Sequence, residues 1–287
     1  MKRYRLALAA ALAGSAIAGH AACISDADAA ALFDRYASRV AAVNPEVTSE
    51  ADAACSRAKL NALLALQYGK VVGYKAGLTN PAVQKRFNAD QPVWGVLYDG
   101  MILDDGAVVD AAFGARPLFE ADMLVRVKSA DINRAKTPMD VLDAIDQIIP
   151  FIELPDLVVE KPAALNGNAI SAINVGARLG VAGKPVPVPA FRGERYAMLD
   201  ALRDMTVVIS DGAGEIARGK GSDILEHPLN AVVWLAEALN KQGLAMEPGQ
   251  WISLGSFSPL TPPKPGQKVT VRYEGLPGAA PVSVTFR

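Results

Sequence analysis

Histidine is nearly missing from this chain: His20 and His227 are the two in 287 residues. Cysteine is as scarce, with Cys23 and Cys55 alone. Zinc sites are built from those two residue types, and His20 falls in a segment expected to be removed, so a zinc site is not supported. The chain has no long basic run and a formal net charge of −1. A nucleic-acid partner, which needs clustered cations for the phosphates, is therefore not expected. There is no internal repeat, low-complexity tract or linker strong enough to divide the chain.

The N-terminus is built differently from the rest. MKRYRLALAAALAGSAIAGHA has a basic start at Lys2, Arg3 and Arg5, then an apolar run from Leu6 to about Ala18. Small residues follow at Gly19 and Ala21. This layout predicts a secretory signal peptide over residues 1–21, cut near Ala21. The apolar run is too short to span a bilayer comfortably, so no stable membrane span is expected after processing. A lipoprotein signal ending at Cys23 fits less well, because His20 stands where such signals want an aliphatic residue. Removal of 1–21 takes away three basic residues and no acid, leaving a net charge of −4. Export to the periplasm would place Cys23 and Cys55 where a disulfide persists. A Cys23–Cys55 bond is the expectation and two unpaired thiols the alternative, since spacing does not decide between them.

Half of the chain is hydrophobic, enough to bury a real core. Helical spacing over Ser25–Val40 and Ser49–Gln67 predicts an N-terminal helical cap, residues 22–69, with Gly69 ending its second helix. From residue 70 the texture changes. KVVGYKAGL, PVWGVLYDGMIL, LFEADMLVRV and IIPFIELPDLVV read as strands. So do QWISLGSF, QKVTVRYEG and PVSVTF. NPAVQKRFN and TPMDVLDAIDQI read as helices capped by Asn80 and Thr137, each with proline just inside. MTVVISDGAGEIARGK reads as a hairpin, and HPLNAVVWLAEALNKQG as the strongest helix. Strands often follow one another directly, which predicts an α+β fold with a mixed or antiparallel sheet.

Three acids stand out. Glu120 and Asp122 lie two apart in a strand and share a face. They are either the wet side of an amphipathic strand or a pair aimed at a cation. Glu153 sits inside an apolar run, where an isolated carboxylate costs several kcal/mol, so roughly that penalty must be met by a proton, a base, water or a metal. Three crowded carboxylates suit a hard divalent cation, Mg²⁺ or Mn²⁺. Lys75, in a strand between Gly73 and Gly77, offers the complementary charge. It is either a surface lysine or a group that orients a carboxylate substrate and moves a proton.

GYKAGLTNPAVQKRF, WGVLYDGM, FEADMLV, FIELPD, GNAISAINVG, EHPLNAVVWLAEALNKQG and WISLGSFSPLTPPKPGQKVTV occur in that order. In them the sequence resembles the 2-keto-4-pentenoate hydratase family of the fumarylacetoacetate hydrolase superfamily, from about Val71 to the C-terminus. The resemblance implies a fumarylacetoacetate-hydrolase-like fold over residues 70–287, a mixed β-sheet forming a partly open barrel with flanking helices. It implies a hydratase, a lyase that adds water to a 2-hydroxy-2,4-dienoate or 2-oxo-4-enoate. Decarboxylase, tautomerase and a non-catalytic envelope protein that binds keto acids are the alternatives. The implied metal ligands are Glu120, Asp122 and Glu153, with Asp in place of the family's second Glu. Lys75, Asp156 and Ser171 take catalytic places, and Lys75, Asn168 and Ser171 contact the 2-oxo acid. The family's Asp-Asn-Ala-Ser-Ser stretch reads Gly167, Asn168, Ala169, Ile170, Ser171 here, so its leading acid and first serine are absent. Gly255 to Pro259 resembles the hydratase branch's Gly-Ser-Phe-Thr. The superfamily's hydrolases need a histidine–carboxylate pair. His227, at the mouth of a helix, reads as helix-end packing, which disfavours a hydrolase. Family members commonly form homo-oligomers.

Overall fold

The computed structural model describes residues 23–287. The expected signal peptide and its cleavage near Ala21 lie outside the described residues.

Two helices come first, α1 (Asp26–Ala37) and α2 (Glu50–Tyr68). Ser25 and Ser49 cap them, each accepting a backbone N–H three residues on. Cys23 and Cys55 form a disulfide with a Cα separation of 5.5 Å, so the chain start is bonded to α2. The main chain of Ile24 reinforces that join. Its N–H donates to the Ser56 hydroxyl and its carbonyl accepts from Lys59. The bond closes a loop of 32 residues of separation. Reduction should lower unfolding free energy by roughly 2–4 kcal/mol, read as a drop in melting temperature that a Cys23→Ser, Cys55→Ser variant reproduces without reductant.

The rest alternates strands and helices. In chain order these are β1 (Val71–Gly77), α3 (Pro81–Arg86), β2 (Val93–Tyr98), β3 (Ile102–Asp104), β4 (Val108–Val109), β5 (Glu120–Val127), α4 (Pro138–Ala144) and β6 (Ile145–Leu154). They continue with α5 (Gly167–Ala172), β7 (Leu179–Ala182), β8 (Val186–Pro187), α6 (Arg192–Asp204), β9 (Thr206–Asp211) and β10 (Gly214–Lys220). The last are α7 (Asn230–Lys241), β11 (Trp251–Ser253), β12 (Lys268–Glu274) and β13 (Val282–Phe286).

The strands form two mixed sheets. One runs β2-β1-β11-β5-β6-β7-β3 with β8 beside β6, and the other runs β10-β9-β12-β13-β4. In the first, β2 and β3 hold opposite ends, yet only the turn Asp99–Met101 separates them. Six steps across a flat sheet would cover roughly 29 Å, whereas that turn reaches about 14 Å at most. The sheet must therefore curl until its edges approach, giving a half-barrel. This is also why PVWGVLYDGMIL is two strands rather than the one its sequence predicts. The second sheet packs across β5, β6 and β7.

α4 ends at Ala144, earlier than expected, and β6 starts at once. Ile145, Ile148, Ile149 and Ile152 are all buried there. β-Branched residues favour that pleated setting over a helix. α6 carries no expectation from sequence. It buries Met198 and Leu202, one turn apart. α4 packs on α6, α7 and β6, and α7 on β1, while α2 packs on α5 and β2.

Candidate active site

β5 and β6 are antiparallel, and their register sets Glu120 directly opposite Glu153. Lys75 comes from β1, three strands away in the sheet order. The curl brings it across, so its ammonium donates to Glu153 and, at 3.0 Å, to the carbonyl of Val175. Lys75 and Glu153 are 2% and 3% exposed, so the pair is out of solvent. Breaking such a pair is costly, because the survivor is a buried charge alone.

Val175 is placed by strain. Asn174 and Val175 have φ of 54° and 53°, which a β-branched residue rarely adopts. The Asn174 side chain holds the turn by accepting from the Val96 N–H at 2.7 Å and donating to its carbonyl at 3.0 Å. The turn lies so close to β2 that a Cβ on Gly95 would sit 2.6 Å from the Asn174 carbonyl oxygen. Gly73 serves the sheet rather than a ligand, since its Cβ would meet the Trp251 carbonyl at 1.7 Å. Gly77 does border the cavity.

Asp122 shares the Glu120 face but not its surroundings. It is fully buried, not on the wet side of an amphipathic strand. One oxygen accepts the N–H groups of Gly255 at 3.0 Å and Leu254 at 3.2 Å, and the other accepts the Ser253 hydroxyl at 2.5 Å. The shorter aspartate side chain is thus spent on the end of β11. Burial, then the charge of Glu153, pushes its carboxyl up to about 8. The same two causes hold Glu120 well above the usual carboxylate range, with Lys75 opposing.

The second sheet pins this pairing. The Tyr273 hydroxyl enters between β5 and β6, donates to the Asp122 carbonyl, and accepts the Phe151 N–H at 3.0 Å. Tyr273→Phe leaves that buried N–H unpaired and should cost about 1–3 kcal/mol, measured by urea unfolding, with the larger loss expected in the affinity of the acidic cavity.

Glu120, Glu153 and Lys75 open into a cavity of about 350 Å³. Leu78, Phe87, Ile170 and Val175 give it an apolar side, and the Gly255–Pro259 segment crosses it. Arg86 and Arg218 also line it. No residue of α1 or α2 does.

Three residues with expected substrate or catalytic roles lie elsewhere. Asn168 and Ser171 face the other side of α5, where Ile170 alternates with them, and border a second cavity. Asn168 donates to the Thr48 carbonyl, and Ser171 accepts from Arg57. Asp156 turns away between two cavity-lining neighbours, Pro155 and Leu157. It is fully buried, ion-paired with Arg178 at 3.1 Å, and accepts the N–H groups of Ala115 and Arg116. His227 accepts the Leu229 N–H on Nδ1, which leaves Nε2 to donate to the Leu199 carbonyl. Burial lowers its pKa, so it is a neutral brace at the start of α7. Arg57 carried no expectation, yet a signal was present. It lies on the helical stripe of Ala53, Leu60 and Leu64, a cation among core positions.

The donor set meets the needs of a divalent cation held by two carboxylates. Among the described residues no three or more His, Cys, Asp or Glu side chains are gathered as ligands. Magnesium, however, is commonly held by one or two carboxylates, with substrate and water completing its shell. Glu120 and Glu153 supply those two, backed by Asp122, and one ammonium faces three carboxylates. The donors and the charge fit. Asp122 would join as a third ligand only by releasing Ser253.

A mixed half-barrel of this kind, with flanking helices and an acidic cavity, is the fumarylacetoacetate hydrolase fold. A scan of family models found no match. Individual proteins do match. Over 209 residues the chain is 31% identical to 4-oxalocrotonate decarboxylase of Pseudomonas putida, covering 72% of this chain and 75% of that one. Over 230 residues it is 29% identical to 2-keto-4-pentenoate hydratase 2 of Dechloromonas aromatica, covering 79% and 84%. Among solved structures, 4-oxalocrotonate decarboxylase from Pseudomonas putida G7, complexed with magnesium and adipate, superposes with a TM-score of 0.77 at 26% identity, covering 93% of this chain and all of that one. Fumarylpyruvate hydrolase from Pseudomonas aeruginosa, with Mn²⁺ and pyruvate, shares the fold alone, at a TM-score of 0.55 and 10% identity. The chain belongs to the family of 2-keto-4-pentenoate hydratases and 4-oxalocrotonate decarboxylases.

Proposed function

We propose that the protein is a divalent-cation-dependent hydro-lyase that adds water to a 2-hydroxy-2,4-dienoate or its 2-oxo-4-enoate form. The observation that carries this reading is Glu120 opposite Glu153 on the floor of a cavity, with Lys75 donating to Glu153 and an apolar wall beside them. Glu120 and Glu153 would hold Mg²⁺ or Mn²⁺, which when bound supplies Lewis-acid stabilisation of negative charge on the 2-oxo acid. Lys75 binds the substrate carboxylate or carries a proton to and from the carbon chain. The carbonyl of Val175 fixes the lysine's direction. Leu78, Phe87 and Ile170 take the hydrocarbon end and exclude bulk water, which strengthens the charge interactions at the floor.

Decarboxylation of a related 2-oxo acid is the second reading. Two observations favour it: the magnesium- and adipate-bound neighbour, and Ile170, which offers no hydroxyl to position water. The proposal extends to export. Residues 1–21 read as a signal peptide, and the Cys23–Cys55 bond suits an oxidising compartment. Among the described residues no helix is long and apolar enough to cross a membrane. A homo-oligomer is part of the same reading, by family analogy.

The test uses the purified chain from Cys23. Melting with Mg²⁺ and oxalate, a chelating mimic of a 2-oxo acid, should show a rise that needs both and vanishes in Glu120→Ala. Loss of the dienoate ultraviolet band with water incorporated in the product supports hydration, and CO₂ release supports decarboxylation. Binding without turnover supports an envelope binding protein. No shift at saturating concentrations rejects the metal site.

A further inference from the structure

Arg57 is a buried cation that the acidic cavity does not use. It is 3% exposed, and its guanidinium lies 3.5 Å from the centre of the Trp94 ring. It donates to the Trp94 carbonyl at 3.2 Å, the Ser171 hydroxyl at 2.5 Å and the Gln242 side-chain oxygen at 3.1 Å. All three acceptors are neutral. Among the described residues no carboxylate lies within ion-pair distance of it. Buried charges are normally paired, because the lost hydration must be replaced. Burial pushes this guanidinium down to about 10, with the more distant Glu50 opposing.

The cation borders the second cavity, of about 290 Å³, between α2, β2, α5 and α7. That cavity shares no lining residue with the acidic one. α5 is the wall between them, with Ile170 on one side and Ser171 on the other. The mouth carries opposite charge to the floor. Glu50, Asp90 and Glu237 line it and are exposed. Glu237 is answered by Lys136 at 2.8 Å and by nearby Lys241. Glu50 and Asp90 have no ion pair among the described residues. A ligand that satisfies both ends is negative where it enters deepest and positive where it leaves.

We propose that this second cavity binds a small organic carboxylate with a positively charged far end, an amino-acid-like zwitterion. Its carboxylate meets Arg57, where charge-assisted hydrogen bonds are strongest. Its ammonium faces Glu50 and Asp90, which repel a second carboxylate and so select against dicarboxylates. The volume lies at the small end for ligand sites, which suits a chain of a few carbons. The inference is independent of the reaction proposed above.

The probes are 4-aminobutyrate and succinate, two four-carbon acids whose far ends carry opposite charge. Melting curves and ligand-observed NMR are recorded on the chain from Cys23 without divalent cation. The expected result is binding of 4-aminobutyrate at least about tenfold tighter than succinate. Arg57→Gln should weaken it by a similar factor, while Glu120→Ala in the other cavity should not change it. Because Arg57→Gln changes a buried residue, a surface variant provides an independent arm. Glu50→Gln with Asp90→Asn should shrink the preference for 4-aminobutyrate to about threefold or less. The proposal is overturned by no binding of 4-aminobutyrate at saturating concentrations, by succinate binding as tightly, by an unchanged preference in the rim variant, or by loss of binding in Glu120→Ala. In any of those cases Arg57 is a structural clamp joining α2, β2, α5 and the end of α7.

Discussion

Lys75→Met is expected to abolish turnover and, in metal-free protein at pH 8, to cost the fold about 3–5 kcal/mol. The loss arises because the buried Glu153 carboxyl loses its nearest cation, with Glu120 and Asp122 beside it. Its size should depend on pH in a defined direction. The Asp122 carboxyl stands at about 8 in the folded chain against 3.8 as its ordinary value. An acid whose folded pKa is raised takes up more protons folded than unfolded between those values. Its contribution to stability is therefore greatest at low pH and falls as pH rises towards 8. The variant's deficit should shrink on going from pH 8 to pH 5, as protons replace the missing lysine. Added Mg²⁺ should recover more of it at pH 8 than at pH 5, because fewer protons compete with the metal for the carboxylates there. Urea titrations at both pH values, with and without metal, measure all of this. Glu153→Gln combined with Lys75→Met should be more stable than Lys75→Met alone and equally inactive. A double variant no more stable than the single would show that the lysine's stabilising partner is not Glu153.

Asp156→Ala is expected to be as destabilising, about 3–5 kcal/mol, while leaving Mg²⁺- and oxalate-dependent melting shifts in whatever protein folds. The aspartate holds Arg178, which also donates to the Tyr36 carbonyl at 2.9 Å and lies over the Tyr36 ring. Removing it strands a guanidinium in the core and frees the Ala115–Arg116 turn. Asp156→Asn keeps the shape and one acceptor oxygen, enough for one of those two N–H groups, so it should fold better than the alanine variant and retain kcat within a few-fold. The measurement is kcat set against unfolding free energy for both variants. A folded Asp156→Asn protein with kcat down a thousandfold or more would restore the catalytic role that the family resemblance implied.

Much of this chain can be read from its residues. The strand containing Glu120 and the strand containing Glu153 announce themselves by composition, Asn80 and Thr137 cap the helices expected of them, and Ser25 and Ser49 cap the two N-terminal helices. Glu153 in an apolar run was the clearest pointer to the site, because burial of a charge needs a reason. The register that puts it opposite Glu120 is a property of two strands together, and neither sequence contains it. The curl that carries Lys75 across is set by the far edges of the sheet, β2 and β3. The two faces of α5 are a local matter that the resemblance does not resolve. The resemblance aligned Asn168 and Ser171 with the family's stretch, but a helix sends neighbouring residues to different faces. Ile170 took the cavity, and its partners took the other side. α6 carried no expectation although Met198 and Leu202 have helical spacing, because the segment is strongly polar.

The bond between Cys23 and Cys55 also has a mechanical meaning. It precedes α1 and lands inside α2, so a force applied at the N-terminus bypasses everything between the two cysteines. Residues 24–54 carry no load while the bond is intact. Their extended length, on the order of 100 Å at about 3.3–3.6 Å per residue, stays hidden from a stretching device and appears as added contour length once the bond is reduced. Tension would instead enter the molecule at α2, the helix that rests on α5 and carries Arg57. A chain held by its N-terminus would thus be gripped through the wall of its second cavity, with α1 slack beside it.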